Sequence, residues 1–235
     1  MPDPPAFRSP GALGPPSGTD MAGRPPEPES PWTGPGGPVR LEVGTHPESY
    51  PCKECDATRA LLAELAARSR DVNYAFVAPT APGHEGKASP PPWIRLLLPG
   101  EEDGPVRFLG TPGGWNLRAF EGALEEFVRP APLDPEWEGI VARVRRHHLV
   151  RVFTDPSAQD TVPLVRHLAR LSERVFPRMS VDVVNVPSFP AWTRRLSLRW
   201  LPAVAVDDVA RFYGTPEEPE LRSALSEALP SGGWP

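Results

Sequence analysis

Apolar and polar residues follow two periods along the chain, and these periods predict strands and helices in a repeated order. Apolar side chains alternate with charged ones over residues 39–43, which predicts a strand. Apolar positions then recur at steps of three and four from Ala57 to Ala66, which predicts a helix that ends near Ser69. The same periods predict strands at 72–77, 93–98 and 106–109 and a helix at 117–128. The first half of the chain is therefore predicted as β-α-β followed by β-β-α.

The second half repeats this plan after a proline-containing connection at 130–135. Its elements are predicted as helices at 135–147, 163–176, 191–196 and 217–229 and strands at 149–153, 181–186, 203–206 and 210–213. Residues 107–112 (RFLGTP) match residues 211–216 (RFYGTP) at five of six positions. Because the match falls at the same place in both halves, it indicates two copies of one fold.

The first 37 residues carry eleven of the 35 prolines and show almost no apolar periodicity. Such a segment buries too little apolar surface to offset its chain entropy, so we predict a disordered tail at 1–37. A polyproline ligand for a partner domain is the alternative interpretation. Met21 lies within this tail, and translation that starts there would leave the predicted fold unchanged.

Length and charge narrow the class of protein. A chain of 235 residues fits two domains of about 100 residues each. The net charge of -5 provides no basic face for nucleic-acid phosphates. The sequence shows neither a signal peptide nor a run of about 18 apolar residues that could span a bilayer. We therefore expect a cytoplasmic protein with no nucleic-acid and no membrane partner.

The candidate chemistry lies in the only two cysteines, Cys52 and Cys55, which stand three positions apart in the segment CKEC. At the first turn of a helix, such a pair can close a small disulfide ring, with the first sulfur toward solvent and the second packed behind it. The free amides and the dipole at a helix N-terminus favour a thiolate and lower the pKa of a cysteine there. Lys53 adds to this effect, whereas Glu54 and Asp56 oppose it.

Metal binding is the alternative use of the pair. A structural zinc ion takes four protein ligands, and the histidines that lie near the cysteines in sequence are His46 and His84. That spacing fits no usual zinc pattern, so redox chemistry in a reducing compartment is favoured. We expect no metal and no organic cofactor.

Two further motifs favour structural roles. Gly110, Gly113 and Gly114 lack the G-x-G-x-x-G spacing of a phosphate-binding loop and predict a turn. The basic run at 143–148 is predicted to lie at the end of a helix, where cations complement the dipole, with an anion or partner site as the alternative. Its two adjacent histidines would point in different directions, which argues against joint metal binding.

Four features together point to a known family: CKEC between a strand and a helix, a proline entering the third strand, a Phe-x-Gly-x-Pro segment after the fourth strand, and the duplication. On these features the chain resembles the thioredoxin/glutaredoxin superfamily. More closely, it resembles tandem members such as the protein disulfide oxidoreductases of thermophiles and the N-terminal part of the alkyl hydroperoxide reductase flavoprotein. The resemblance covers about residues 38–230. It implies an α/β fold of two tandem thioredoxin-like units, each with a central mixed sheet flanked by helices.

The resemblance also implies a domain plan and a role for particular prolines. The domains are the tail at 1–37, a thioredoxin-like unit with the dithiol at 38–130 and a unit without cysteines at 131–235. In the family the proline before the third strand is cis, lies against the dithiol and lets the preceding backbone pair with an extended substrate. Pro92 is expected in that role, with Pro91 as the close alternative, and Pro202 is its counterpart in the second unit.

The implied function is thiol–disulfide exchange, with Cys52 as the attacking sulfur and Cys55 as the resolving one. The expected partners are protein or peptide disulfides and a recycling thiol reductant. Glutathione binding is a further alternative that the resemblance to glutaredoxins implies: Gly113 and Gly114 lie in a region comparable to their Gly-Gly or acidic pair, but the match assigns no residues. The direction of the reaction depends on a reduction potential that the motif does not determine. A non-catalytic interaction or scaffold protein with the same fold is the alternative.

Overall fold

The computed structural model describes residues 39–48, 51–68, 72–77, 91–214 and 216–229, so the tail predicted at 1–37 lies outside the described residues. The described chain contains eight strands: β1 (Val39–Gly44), β2 (Val72–Val77), β3 (Trp93–Leu97), β4 (Val106–Leu109), β5 (His148–Thr154), β6 (Met179–Asn185), β7 (Ala203–Val206) and β8 (Val209–Tyr213). The α-helices in the same residues are α1 (Lys53–Arg68), α2 (Trp115–Val128), α3 (Pro135–Val141), α4 (Thr161–Val175), α5 (Pro190–Arg195) and α6 (Glu218–Ala228).

The eight strands form one mixed sheet in the order β2-β1-β3-β4-β6-β5-β7-β8. In the first half, β1 runs parallel to β2 and antiparallel to β3, and β3 runs antiparallel to β4. In the second half, β5, β6, β7 and β8 repeat this pairing strand for strand. The halves meet where β4 pairs in parallel with β6. The predicted α/β fold of two tandem units is confirmed, whereas the domain boundaries at 37/38 and 130/131 stay a prediction.

The sheet carries two apolar faces of unequal size. Residues such as Phe108, Val152 and Val183 belong to the main core, together with side chains from α1, α2, α3, α4 and α6. Their strand neighbours point to the opposite face, where a smaller cluster includes Trp93 and Phe153 and is covered by residues from 186–201. Because the sheet is covered on both sides, strands such as β3 and β7 are buried at every position.

A row of charged side chains crosses the sheet on the face of the smaller cluster. Glu42, Arg95, Arg107, Asp182 and Arg151 occupy matching register positions on β1, β3, β4, β6 and β5. Asp182 is 2% exposed and accepts two hydrogen bonds of 3.0 Å from Arg107. Arg151 Nε lies 3.6 Å from the same carboxylate. Since Arg107 stands on β4 and Asp182 on β6, their ion pair joins the two units, whereas Arg151 approaches Asp182 from within the second unit.

A second buried ion group joins α2 to α4. Glu126 is 1% exposed and accepts hydrogen bonds from Arg166 at 2.5 Å and from Arg170 at 2.8 Å. Burial raises the pKa of Glu126, but the hydrogen bonds from Arg170 and Arg166 outweigh burial and hold this pKa below its ordinary value. The carboxylate therefore stays ionised and tethers a helix of each unit to the other.

Most predicted elements agree with the observed ones to within two residues at either end, but the helix predicted at 135–147 is wrong beyond Val141. There the amide of Val144 bonds to the carbonyl of Val141, three residues back, which tightens the chain into a turn and ends the helix. The basic run at 143–148 therefore lies beyond the helix and not in its last turn. Its final residue, His148, is buried and begins β5.

Candidate redox site

Cys52 and Cys55 lie at the N-terminus of α1. Cys52 directly precedes the helix and is partly exposed, whereas Cys55 lies in the first turn and is fully buried. The two sulfurs form a disulfide, and the Cα atoms are 5.2 Å apart. The backbone amide of Cys55 donates to Cys52 Sγ at 3.2 Å. The first sulfur therefore has access to solvent, and the second is shielded behind it.

The proline-rich segment before β3 reaches the same end of the sheet. The peptide bond between Pro91 and Pro92 is cis, and Pro92 is buried. Gly44, the last residue of β1, pairs with Trp93, so Pro92 lies at the end of the sheet from which the chain leaves for Cys52. The cis bond expected from the resemblance is present at the second of the two candidate positions. Contact of either proline with a substrate stays a prediction.

The second unit contains the counterpart. The bond between Leu201 and Pro202 is cis, and the Pro202 carbonyl accepts a hydrogen bond from Gly214 at 2.7 Å. In the first unit Gly110 donates in the same way to Pro92 at 2.8 Å. The glycine of the repeated segment therefore bonds to the cis-proline in both units.

Two threonine hydroxyls meet at the carbonyl of Glu54, between the two cysteines. Thr58 Oγ1, one helical turn further along α1, lies 2.9 Å from this oxygen. Thr111 Oγ1, in the loop after β4, lies 2.8 Å from it. The two hydroxyl oxygens are 2.7 Å apart. The dithiol turn is thus held both from within its helix and from a distant loop.

Arg59 ties the segment before the cysteines to α1. Its guanidinium donates to the His46 carbonyl at 2.5 Å, to Thr45 Oγ1 at 3.3 Å and to the Asp56 carboxylate at 2.8 Å. Asp56 was expected to oppose thiolate formation, and its charge is here balanced by Arg59. His84, the other histidine of the metal alternative, lies outside the described residues. The residues that the structure describes include no group of three or more His, Cys, Asp or Glu side chains placed to hold a metal ion.

A chain of polar side chains runs from this site into the second unit. Asn185 Nδ2 lies 3.4 Å from the Thr111 carbonyl, and Asn185 Oδ1 lies 3.5 Å from Asn116 Nδ2. Thr154 donates to Asn116 Oδ1 at 3.1 Å, and its hydroxyl is 2.6 Å from that of Thr161. Thr154 is the last residue of β5 and Thr161 is the first of α4, so their contact closes the connection between this strand and this helix.

The glycines of the loop after β4 are used for contact between the units. Gly110 and Gly114 have positive φ angles of 85° and 55°. A Cβ on Gly110 would meet Ser188 Oγ at 2.7 Å, and a Cβ on Gly114 would collide with the carbonyl of Pro156. Ser188 and Pro156 both belong to the second unit, so the loop lies directly against that unit.

Comparisons with known proteins bear on the fold. Neither a protein-family model nor a curated protein matches the chain. The N-terminal domain of the alkylhydroperoxide reductase AhpF from Enterococcus faecalis is 16% identical, with a TM-score of 0.70 over 81% of this chain and 91% of that one. A protein disulfide oxidoreductase from Aeropyrum pernix is 17% identical, with a TM-score of 0.71 over 82% of this chain and 86% of that one.

The chain has a tandem thioredoxin fold. At these identities the likeness establishes the fold, and it confirms the resemblance that CKEC and the duplication indicate. Across the described ranges, every helix is too short or too polar to span a lipid bilayer.

The sequence singles out the cysteines and the prolines as candidate site residues, and the polar side chains that surround the cysteines were not predicted. Thr111 stands in the repeated Gly-Thr-Pro segment, and this repeat is the signal from which a role for it could have been predicted. Thr58, Asn116 and Asn185 carry no comparable signal, because single polar residues at these spacings occur throughout the chain.

Proposed function

We propose that this protein is a thiol–disulfide oxidoreductase that acts on protein or peptide disulfides through Cys52 and Cys55. The observation that carries the proposal is the disulfide between a partly exposed cysteine that precedes α1 and a buried cysteine in its first turn. A tandem thioredoxin fold surrounds the pair, and one solved structure of that fold is a protein disulfide oxidoreductase. The two cysteines suit a reducing compartment, so we propose a cytoplasmic protein.

The exchange proceeds through a mixed disulfide. In the dithiol form, the Cys52 thiolate attacks one sulfur of a client disulfide, and the other client sulfur leaves as a thiolate and takes up a proton. The Cys55 thiol loses its proton and attacks Cys52 Sγ, which releases the second client sulfur and closes the Cys52–Cys55 disulfide. The client gains two electrons, and a thiol reductant returns them to the protein. The Cys55 amide at Cys52 Sγ and the helix N-terminus favour the attacking thiolate.

We propose that an extended client segment pairs with the backbone at Pro91. The Pro92 carbonyl already accepts a hydrogen bond from Gly110, and a proline has no amide hydrogen to donate. The Pro91 carbonyl is therefore the group available to accept a hydrogen bond from a client amide. Binding through one backbone hydrogen bond favours clients that add contacts of their own side chains.

The first experiment is the reduction potential of the pair in glutathione buffers, with insulin reduction measured beside it. We expect a reversible disulfide with a potential of about -200 to -270 mV. Turnover is expected to be lost in Cys52→Ser. The matched variant Cys55→Ser is expected to accumulate a mixed disulfide with the client, because it keeps the attacking sulfur and lacks the resolving one. A pair that never cycles, or turnover that survives Cys52→Ser, would falsify the proposal.

A non-catalytic interaction role is the second candidate, and one observation favours it. Trp200 is 67% exposed and Tyr213 is 40% exposed, and their rings meet edge to face with centroids 6.3 Å apart. Tyr213 lies on β8, at the edge of the sheet, in the unit without cysteines. If this role is the whole function, Cys52→Ser/Cys55→Ser keeps full partner binding while Trp200→Ala loses it.

A further inference from the structure

We propose that the hydroxyls of Thr58 and Thr111 are positioning groups that set the redox equilibrium of the Cys52–Cys55 pair, and that the second unit holds Thr111 in place. The inference rests on the proposed oxidoreductase function and adds to it a role for the cysteine-free unit.

The link from the threonines to the reactive sulfur passes through one peptide group. The Glu54 carbonyl, on which both hydroxyls converge at 2.9 Å and 2.8 Å, belongs to the same peptide as the Cys55 amide. That amide donates to Cys52 Sγ at 3.2 Å. Hydrogen bonds in a chain polarise one another, so a hydroxyl on the carbonyl strengthens the amide as a donor. The threonines therefore stabilise negative charge on Cys52 without touching it.

The number of hydroxyl hydrogens determines how the two threonines share the hydrogen bond to the Glu54 carbonyl. The two hydroxyls carry one hydrogen each, while three oxygen pairs lie within hydrogen-bond distance: Thr58 to Glu54, Thr111 to Glu54 and Thr58 to Thr111. In every arrangement that uses both hydrogens, the carbonyl accepts at least one of them. Loss of one threonine hydroxyl leaves the other in place, and loss of both removes the polarisation. The double variant is thus expected to exceed either single variant.

The second unit fixes the position of Thr111. Asn185 bonds to the Thr111 carbonyl at 3.4 Å and to Ser188 Oγ at 3.0 Å, and Asn116 bonds to Asn185 at 3.5 Å. Gly110 lets the loop approach closely, since any side chain there would meet Ser188. The loop that delivers the Thr111 hydroxyl to the dithiol turn therefore rests on a polar surface of the second unit. Because these hydrogen bonds are long, the effect of Asn185 is expected to be smaller than that of either threonine.

The sign of the effect follows from which state the threonines favour. Polarisation of the Cys55 amide stabilises the thiolate, which exists only in the reduced form. A stabilised reduced form makes the pair a stronger oxidant. Removal of the hydroxyls should therefore shift the equilibrium toward the protein disulfide and raise the pH at which the Cys52 thiolate forms.

The experiment measures the equilibrium of protein dithiol with oxidised glutathione, in which protein disulfide and two reduced glutathione molecules form. We expect about a threefold to fivefold shift toward the protein disulfide in Thr58→Val and in Thr111→Val. The double variant should shift by about tenfold, equivalent to ~30 mV for this two-electron couple. Ultraviolet absorbance of the thiolate against pH should move upward in the same order. Asn185→Leu is expected to shift the equilibrium by about twofold.

Two controls separate positioning from loss of stability. Thr111→Ser keeps the hydroxyl and should restore the wild-type equilibrium. Ser172 is a fully buried hydroxyl on α4 that donates to the Ala169 carbonyl at 2.9 Å, so Ser172→Ala removes a similar hydrogen bond away from the cysteines and should leave the equilibrium unchanged.

Each outcome decides between the two proposals. An unchanged or oppositely shifted equilibrium in both valine variants overturns the inference while a cycling wild type upholds the oxidoreductase. A wild type that does not cycle overturns both. If the double variant fails to fold, the single variants and Thr111→Ser still give the answer, because each valine variant keeps one of the two hydroxyls and Thr111→Ser keeps both.

Discussion

The two units differ most in the connection between their first strand and first helix. Trp93, which follows the cis-proline Pro92, pairs with Gly44, and Ala203, which follows the cis-proline Pro202, pairs with Phe153. The residues that come next along the chain, Thr45 and Thr154, therefore stand at corresponding positions. In the first unit the connection includes the cysteine pair and enters α1 at Lys53.

In the second unit the connection is shorter. It leaves β5 at Thr154 and enters α4 at Thr161, and a direct contact of 2.6 Å between the two hydroxyls closes it. From the corresponding strand residues to the helix start, the first unit has eight residues (45–52) and the second has seven (154–160), so the two connections differ in length by one residue.

A second difference concerns the size of facing side chains. The first unit sets a glycine against a tryptophan, and the second sets a phenylalanine against an alanine, in corresponding register pairs. Trp93, Phe153 and Ala203 all belong to the smaller cluster. Each unit fills this layer with one large and one small residue, so similar volume is reached in two ways.

The test with the largest expected effect removes the buried carboxylate that joins the two units. In Asp182→Ala, Arg107 and Arg151 lose the carboxylate between them at the β4–β6 junction. Breaking a buried ion pair in this way should cost about 3–5 kcal/mol in the free energy of unfolding. Urea denaturation followed by tryptophan fluorescence measures this loss. Asp103, which is 52% exposed beside Arg95, is the control, and Asp103→Ala should cost at most about 1 kcal/mol. Equal losses in the free energy of unfolding would show that the buried ion pair at the junction contributes no more to stability than an exposed one.

The next test concerns the glycine–tryptophan pair. A Cβ on Gly44 would collide with the Trp93 indole ring, so Gly44→Ala should lower the free energy of unfolding by about 1–3 kcal/mol. The same substitution in a Trp93→Ala background should be nearly neutral, which a double-mutant cycle detects as coupling. Gly113 is the matched control, because a Cβ there would meet nothing within 4 Å. If the losses in free energy of unfolding caused by Gly44→Ala and Trp93→Ala simply add, the small residue at position 44 is not required by the size of Trp93.

The smallest expected effect is on the pH dependence of stability and concerns His167 on α4. The Trp137 ring lies 4.4 Å from that of His167. Burial lowers the pKa of His167, and Arg170 lowers it further, whereas Glu218, Asp134 and Glu126 act in the opposite direction.

Because the pKa of His167 is lower in the folded than in the unfolded chain, its neutral form stabilises the fold above the ordinary value of about 6.5. That stability is lost as the pH falls through the folded pKa. His167→Gln should therefore reduce the loss of urea midpoint between about pH 7.5 and about pH 5.5. The exposed His147 is the control, and His147→Gln should leave the loss unchanged. If both variants lose as much urea midpoint as the wild type over this pH range, the buried His167 does not contribute to the pH dependence of stability.

Much of the fold was predictable because the strands are short and either alternate apolar with charged residues, as β1 does, or are apolar throughout, as β7 is. The bounds of β4 and β7 were predicted without error, and the segment CKEC located the start of α1. The charged row was not predictable, because it requires knowing that β4 lies beside β6, and apolar periods do not determine the order of strands in a sheet. The contact of Thr111 with Glu54 was equally inaccessible, since it depends on the positive φ of Gly110 and on the path of the following loop.

Because β4 pairs in parallel with β6, loss of the second unit would expose a strand edge and a helix face of the first unit. Among the described strands both edges of β4 are occupied, and β2 and β8 are the outer strands of the sheet. A chain that ended near residue 130 would leave the backbone amides and carbonyls of β4 unpaired on one side and would uncover the face of α2 that packs on α4. An open apolar strand of this kind invites pairing with other chains and aggregation. The unit without cysteines therefore also serves as a cover for the β4 edge and the α2 face of the unit that carries the dithiol.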